Sequence, residues 1–129
     1  MVRREMLFVA ALLALLVGCG APPGDAARGR QQFHGEVAFA RDDAVVCSSC
    51  HAVEAGSAPG IGPNLAGVAT RAETRVAGQS AEQYLSESIV SPDAYLAEGY
   101  QEGIMYRGYA QALSEQEQRD LVAYLLTLK

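Results

Sequence analysis

The sequence predicts a small all-α domain of several helices joined by long loops. Three observations predict it. Ser80-Ala81-Glu82-Gln83 and Ser114-Glu115-Gln116-Glu117 both have the form in which a serine and a residue three places on cap a helix start reciprocally. Apolar residues follow each box at helical spacing, and no stretch alternates apolar and polar residues as a half-buried strand does. The remaining segments are long for a chain of 129 residues, and long loops in a compact unit need something to wrap around.

Residues 1–18 read as an export signal. Arg3 and Arg4 open it, and Met6 to Val17 is an unbroken apolar run. That run is shorter than the roughly 20 residues a bilayer span needs and has the length of a signal-peptide core. Leu16-Val17-Gly18-Cys19 resembles a lipobox, where the small residue admits the peptidase and the Cys19 thiol takes the lipid. Cys19 is therefore the expected lipidation site, and residues 19–27 the lipidated N-terminus and tether, including Ala21-Pro22-Pro23-Gly24. Residues 28–129 form the folded domain.

Asp25 is placed to cap a first helix from Ala26 to about His34. Residues 35–46 follow no clear period, with Asp42-Asp43 a turn. A helical turn carries Cys47 to His51, and Gly56 to Gly67 is a Gly/Pro-rich loop. The Ser80 box opens a helix through Val90, with Tyr84, Leu85 and Ile89 on one face, and Ser91-Pro92-Asp93 ends it. A loop is expected from about Gly99 to Ala112. The last helix follows the Ser114 box, with Leu121, Tyr124, Leu125 and Leu128 sharing a face.

Without residues 1–18 the chain keeps 8 basic and 14 acidic residues, a net charge of −6 against −5 for the whole. An acidic surface argues against nucleic acid and against docking by charge on anionic lipid. The mature part has two phenylalanines, Phe33 and Phe39, and no tryptophan, a small aromatic core for about 100 residues. A large flat buried cofactor would supply the missing apolar surface.

Cys47-Ser48-Ser49-Cys50-His51 has the attachment pattern for haem c. Cysteines three apart on a helical turn project to one side and reach the two vinyl groups of a porphyrin, while His51 is directed at the iron as a proximal ligand. A thioredoxin-like pair would want a βαβ setting, and the strands are missing. A zinc site wants four ligands, and beyond the motif the mature chain offers only His34 and Cys19. A disulfide between Cys47 and Cys50 leaves His51 unexplained. Met1 and Met6 leave with the signal, so Met105 is the one thioether of the mature protein and the leading sixth ligand. His34 and an open sixth position are the alternatives, and a Met105 that merely fills a gap in the core is a third.

These residues resemble the class I cytochromes c from about Gly29 to Leu128. The resemblance rests on Cys47-Ser48-Ser49-Cys50-His51, Gly62-Pro63-Asn64-Leu65, Met105, and the helix containing Asp120-Leu121-Val122-Ala123-Tyr124-Leu125. It implies the small class I fold around one covalent haem, with the carbonyl of Pro63 accepting the ring N–H of His51 and so fixing its tautomer. It also implies that Gly29 and Phe33 of the first helix cross Leu121 and Tyr124 of the last. Tyr106 stands where many relatives have proline, and residues 35–46 lengthen the segment before the motif. That lengthening, Ser91-Pro92-Asp93-Ala94-Tyr95 and Tyr100-Gln101-Glu102-Gly103-Ile104-Met105 are similar to cytochrome domains of oxidase subunit II and to single-haem lipoproteins of respiratory complexes such as alternative complex III.

The resemblance implies a single-electron carrier and not an enzyme in its own right, since an iron with both axial positions filled has no site for substrate. Its expected partners are redox proteins or a membrane respiratory or photosynthetic complex, reached through a lipid anchor outside the cytoplasm, with no nucleic acid and no small-molecule substrate. The alternative is a haem sensor or redox enzyme with an open or labile sixth position. Tyr100, Tyr106 and Tyr109 are candidates to bond the haem propionates or Met105, and Arg71, Arg75 and Arg107 to neutralise a propionate.

Overall fold

The structure is a computed structural model and describes residues 20–58 and 60–129. The expected export signal and the expected lipidation site Cys19 lie outside the described residues. Among the described residues there are five α-helices, one 3-10 turn and no strand: α1 (Ala26–Phe33), the 3-10 turn Cys47–Ser49, α2 (Val68–Ala72), α3 (Ala81–Val90), α4 (Tyr109–Ala112) and α5 (Glu115–Leu125). No helix among them is long and apolar enough to cross a membrane.

The frame is the crossing of α1 and α5. Asp25 caps α1 by accepting from the backbone N–H groups of Ala27 and Arg28. Its own N–H donates to the buried carboxylate of Asp120 at 2.8 Å, which ties the start of α1 to α5. Gly29 makes the close approach possible: a Cβ there would lie 1.9 Å from the carbonyl oxygen of Asp120. Phe33 then packs edge-on against Tyr124, ring centroids 5.4 Å apart. Both rings and Leu121 are buried, and each contributes about 1.5–3 kcal/mol by leaving water.

Both capping boxes are complete, at Ser80 with Gln83 and at Ser114 with Glu117. Glu117 has a second use. Its carboxylate also accepts from the Ala40 N–H at 2.6 Å, so the segment before the motif is pinned to the start of α5. Phe39, beside that anchor, is buried. Residues 35–46 are thus an irregular strap held by scattered side-chain contacts, Glu117 on Ala40 and buried Phe39 among them, which explains their lack of period.

Two helices were not expected: α4 falls in a stretch read as loop, and α2 in one given no element. α2 follows Gly67, a left-handed residue (φ 71°) with no side chain to announce a cap. It is stapled from outside, the Ala69 N–H donating to the Leu128 carbonyl at 2.9 Å. α4 is a single turn, and Gly108 before it lacks a capping side chain too. Elements this short carry no hydrophobic period to be read.

Candidate functional site

The site is built outward from the 3-10 turn. Val46 is extended, and the chain then tightens so that the N–H groups of Cys50 and His51 both reach the Cys47 carbonyl at 3.1 Å. The turn sets Cys47, Cys50 and His51 on the wall of one cleft. Both cysteines are free thiols. Burial pushes the Cys47 thiol up to about 11, against the pull of the neighbouring Tyr109 hydroxyl. Cys47 is therefore a neutral thiol near pH 7, unlike the acidic nucleophile of a thiol–disulfide exchange centre.

His51 is held by the loop that follows. Its Nδ1 lies 2.8 Å from the carbonyl oxygen of Pro63. A carbonyl only accepts, so Nδ1 carries the proton and Nε2 keeps the lone pair. The loop is itself braced. The Gly62 N–H donates to the Cys50 carbonyl at 3.0 Å and the Leu65 N–H to the Ala52 carbonyl at 2.8 Å. The Asn64 side chain donates to the carbonyls of Glu54 and Ser57, and accepts from the Ala66 N–H. The Arg71 guanidinium donates to the carbonyls of Asn64 and Ala66. Gly62 lies against the imidazole: a Cβ there would be 2.5 Å from Cε1 and 2.7 Å from Nδ1.

Met105 is half-buried and lines the same cleft as His51, whereas His34 does not. The His34 ring sits 3.4 Å from the Tyr124 hydroxyl and edge-on to Phe33, at the helix crossing. The walls between are apolar: Leu65, Val68, Leu85, Ile89 and Leu125, with tyrosines 84, 95, 100, 106 and 109 around them. Tyr109 donates its hydroxyl to the Val45 carbonyl at 2.7 Å, and burial, then the nearby Cys47, raises its pKa. The Tyr106 ring folds back across Gly108, where a Cβ would fall 2.1 Å from its hydroxyl, and meets Tyr109 at 90° and 5.0 Å.

The three arginines named as candidate propionate partners each have a partner in the structure. Arg71 braces the Pro63 loop, Arg107 pairs with Asp93 at 2.5 Å, and Arg75 lies 5.8 Å from the Tyr95 ring centroid. Among the described residues no lysine or arginine lines the cleft, and Asp93 is its one carboxylate. A mostly apolar cleft lined by two free thiols, an imidazole lone pair and a thioether fits a haem.

The cytochrome c family model matches residues 26–129. The chain belongs to the cytochrome c family. Its cofactor is haem c, covalently held and carrying iron, and it is an electron-transfer protein whose partners are redox proteins. Comparison with curated proteins finds no match. In this cytochrome three contacts at the cleft were not read from the sequence: Gly62 against His51, the Tyr109 hydroxyl on the Val45 carbonyl, and Asp93 on Gly103 and Arg107. The first had a signal, a glycine directly before the motif proline, while the other two join residues 64 and 14 or fewer positions apart with no pattern to mark them.

Proposed function

We propose that this cytochrome is a single-electron carrier with haem c attached through Cys47 and Cys50 and ligated by His51 and Met105. When bound, haem c supplies an iron that alternates between ferrous and ferric states without a substrate bond being made. The two thiols become thioethers and hold the group in a domain whose core is small. The Pro63 carbonyl keeps the His51 proton on Nδ1, so that Nε2 is the donor to iron. The thioether of Met105 favours the reduced metal and raises the potential. The apolar walls keep water from the iron. One observation carries the reading: His51, its tautomer fixed at 2.8 Å by Pro63, shares its cleft with Met105.

The test is spectroscopic. The oxidised holoprotein is expected to show the weak near-infrared absorption of sulfur–iron ligation, and Met105→Ala to abolish it. A native reduced protein that binds carbon monoxide rapidly would instead have an open sixth position and would overturn the ligand assignment.

The proposal extends to place. Attachment of haem c takes reduced cysteines on an exported chain, and the pattern through Cys19 is that of a lipoprotein signal. The protein then works as a lipid-anchored carrier on the extracytoplasmic side of a bacterial membrane, as a shuttle or as a subunit of a respiratory or photosynthetic complex. A tether keeps its concentration high near membrane partners. Intact mass of the native protein reads haem and lipid together; a mature N-terminus other than a lipidated Cys19 would refute the anchor. Co-purification of a stable assembly after mild detergent extraction would assign the subunit role.

A further inference from the structure

Met105 sits in a run that the backbone does not hold. Between the end of α3 at Val90 and the start of α4 at Tyr109 no helix intervenes. Among the described residues, 101–107 carry one turn, at Glu102–Gly103, and no other backbone pairing. Their hydrogen bonds converge on a single side chain. Asp93 accepts the Gly103 N–H on Oδ1 at 2.9 Å and the Arg107 Nε–H on Oδ2 at 2.5 Å. The Arg107 guanidinium returns over Gly103, 3.4 Å from where a Cβ would stand. Gly103 is two residues before Met105 and Arg107 two after, so one carboxylate grips both flanks of the methionine.

We infer that Asp93 is a positioning residue which, through Gly103 and Arg107, latches the Met105 loop in place so that its sulfur is held at the iron. The inference rests on Met105 being the sixth ligand. A residue with proline's fixed φ beside the methionine would stiffen this loop covalently; Tyr106 does not, and the carboxylate supplies the restraint through two charge-assisted bonds instead. The latch acts on loop opening. An external ligand that must displace Met105 binds with an apparent affinity scaled by the fraction of open molecules.

The experiment is imidazole binding to the ferric holoprotein, followed by the loss of the sulfur–iron absorption, together with hydrogen exchange at the Gly103 amide. Asp93→Ala is expected to bind imidazole roughly threefold more tightly, as loss of an exposed ion pair would give, and to lose protection at Gly103. Asp93→Asn, which keeps an acceptor for the Gly103 N–H, should recover part of both. Glu36→Gln, which breaks the exposed Arg30–Glu36 pair (2.7 Å) far along the chain, should change neither. If the alanine variant does not mature, Arg107→Gln is expected to move imidazole affinity in the same direction. Wild-type affinity and wild-type protection in the Asp93 and Arg107 variants would overturn the latch and leave Met105 ligation standing. A Met105→Ala protein that keeps the sulfur–iron absorption would overturn the ligand assignment, and the latch with it.

Discussion

Gly62 lies flat against the His51 imidazole, so any side chain at that position moves the ring. Gly62→Ala places a carbon 2.5 Å from Cε1, an overlap that is expected to cost about 1–3 kcal/mol. The thermal midpoint of the holoprotein should fall and its reduction potential should change, since the ring that moves is the proposed iron donor; an unchanged potential would mean the loop yields without disturbing His51. The residues with intrinsic chemistry were legible from the sequence because few side chains can do what they do. A thiol pair three apart with a histidine next to it has little other use, and outside the expected export signal the sequence holds one thioether. What was not legible is what holds them. The Asp93 carboxylate, the Tyr109 hydroxyl and the Gly108 gap under Tyr106 act through chance of position, and each residue type has many commoner roles.

The helices with capping boxes declared themselves, because serine and glutamate or glutamine at a fixed interval name the first turn. α2 and α4 did not, since their starts are glycines and their neighbours stabilise them. The crossing of α1 and α5 leaves no space between backbones at Gly29. Gly29→Ala is expected to separate the helices and destabilise the fold by about 3 kcal/mol, the upper end for overpacking, read as a lowered midpoint in thermal or denaturant melts. Glu117 joins α5 to the strap. Burial alone would raise its pKa; the N–H groups of Ser114 and Ala40 outweigh it, with the Ser114 hydroxyl and Arg28 assisting, and the carboxyl sits below its ordinary value of 4.5. A depressed native pKa stabilises the fold in full above the unfolded value and loses that contribution as pH falls through the native one. Glu117→Gln should therefore be less stable at neutral pH by about 1 kcal/mol, since the neutral amide still accepts but loses the charge that strengthens the bonds from Ser114 and Ala40. Its midpoint should also fall less steeply than wild type below about pH 4.5; parallel curves would show that Glu117 titrates alike in both states.

Across the whole molecule the core and the cleft share residues. Val68, Leu85, Ile89, Tyr109 and Leu125 belong to the buried cluster and also line the cleft. Without the porphyrin each loses contacts on one side, and a margin of about 5–15 kcal/mol is all a domain of this size has. A Cys47→Ala/Cys50→Ala double variant kept free of haem is expected to melt without a cooperative transition in circular dichroism. A sharp transition near that of the holoprotein would show a core that stands by itself. The bond from Asp25 to Asp120 spans 95 positions, nearly the length of the domain. The N-terminal helix therefore has no cradle until the final residues have been delivered. Bringing together partners so far apart costs loop-closure entropy before the contact repays it. Until the two ends meet, the sulfurs of positions 47 and 50 ride on an open chain, and a reagent that must reach both meets them most freely there.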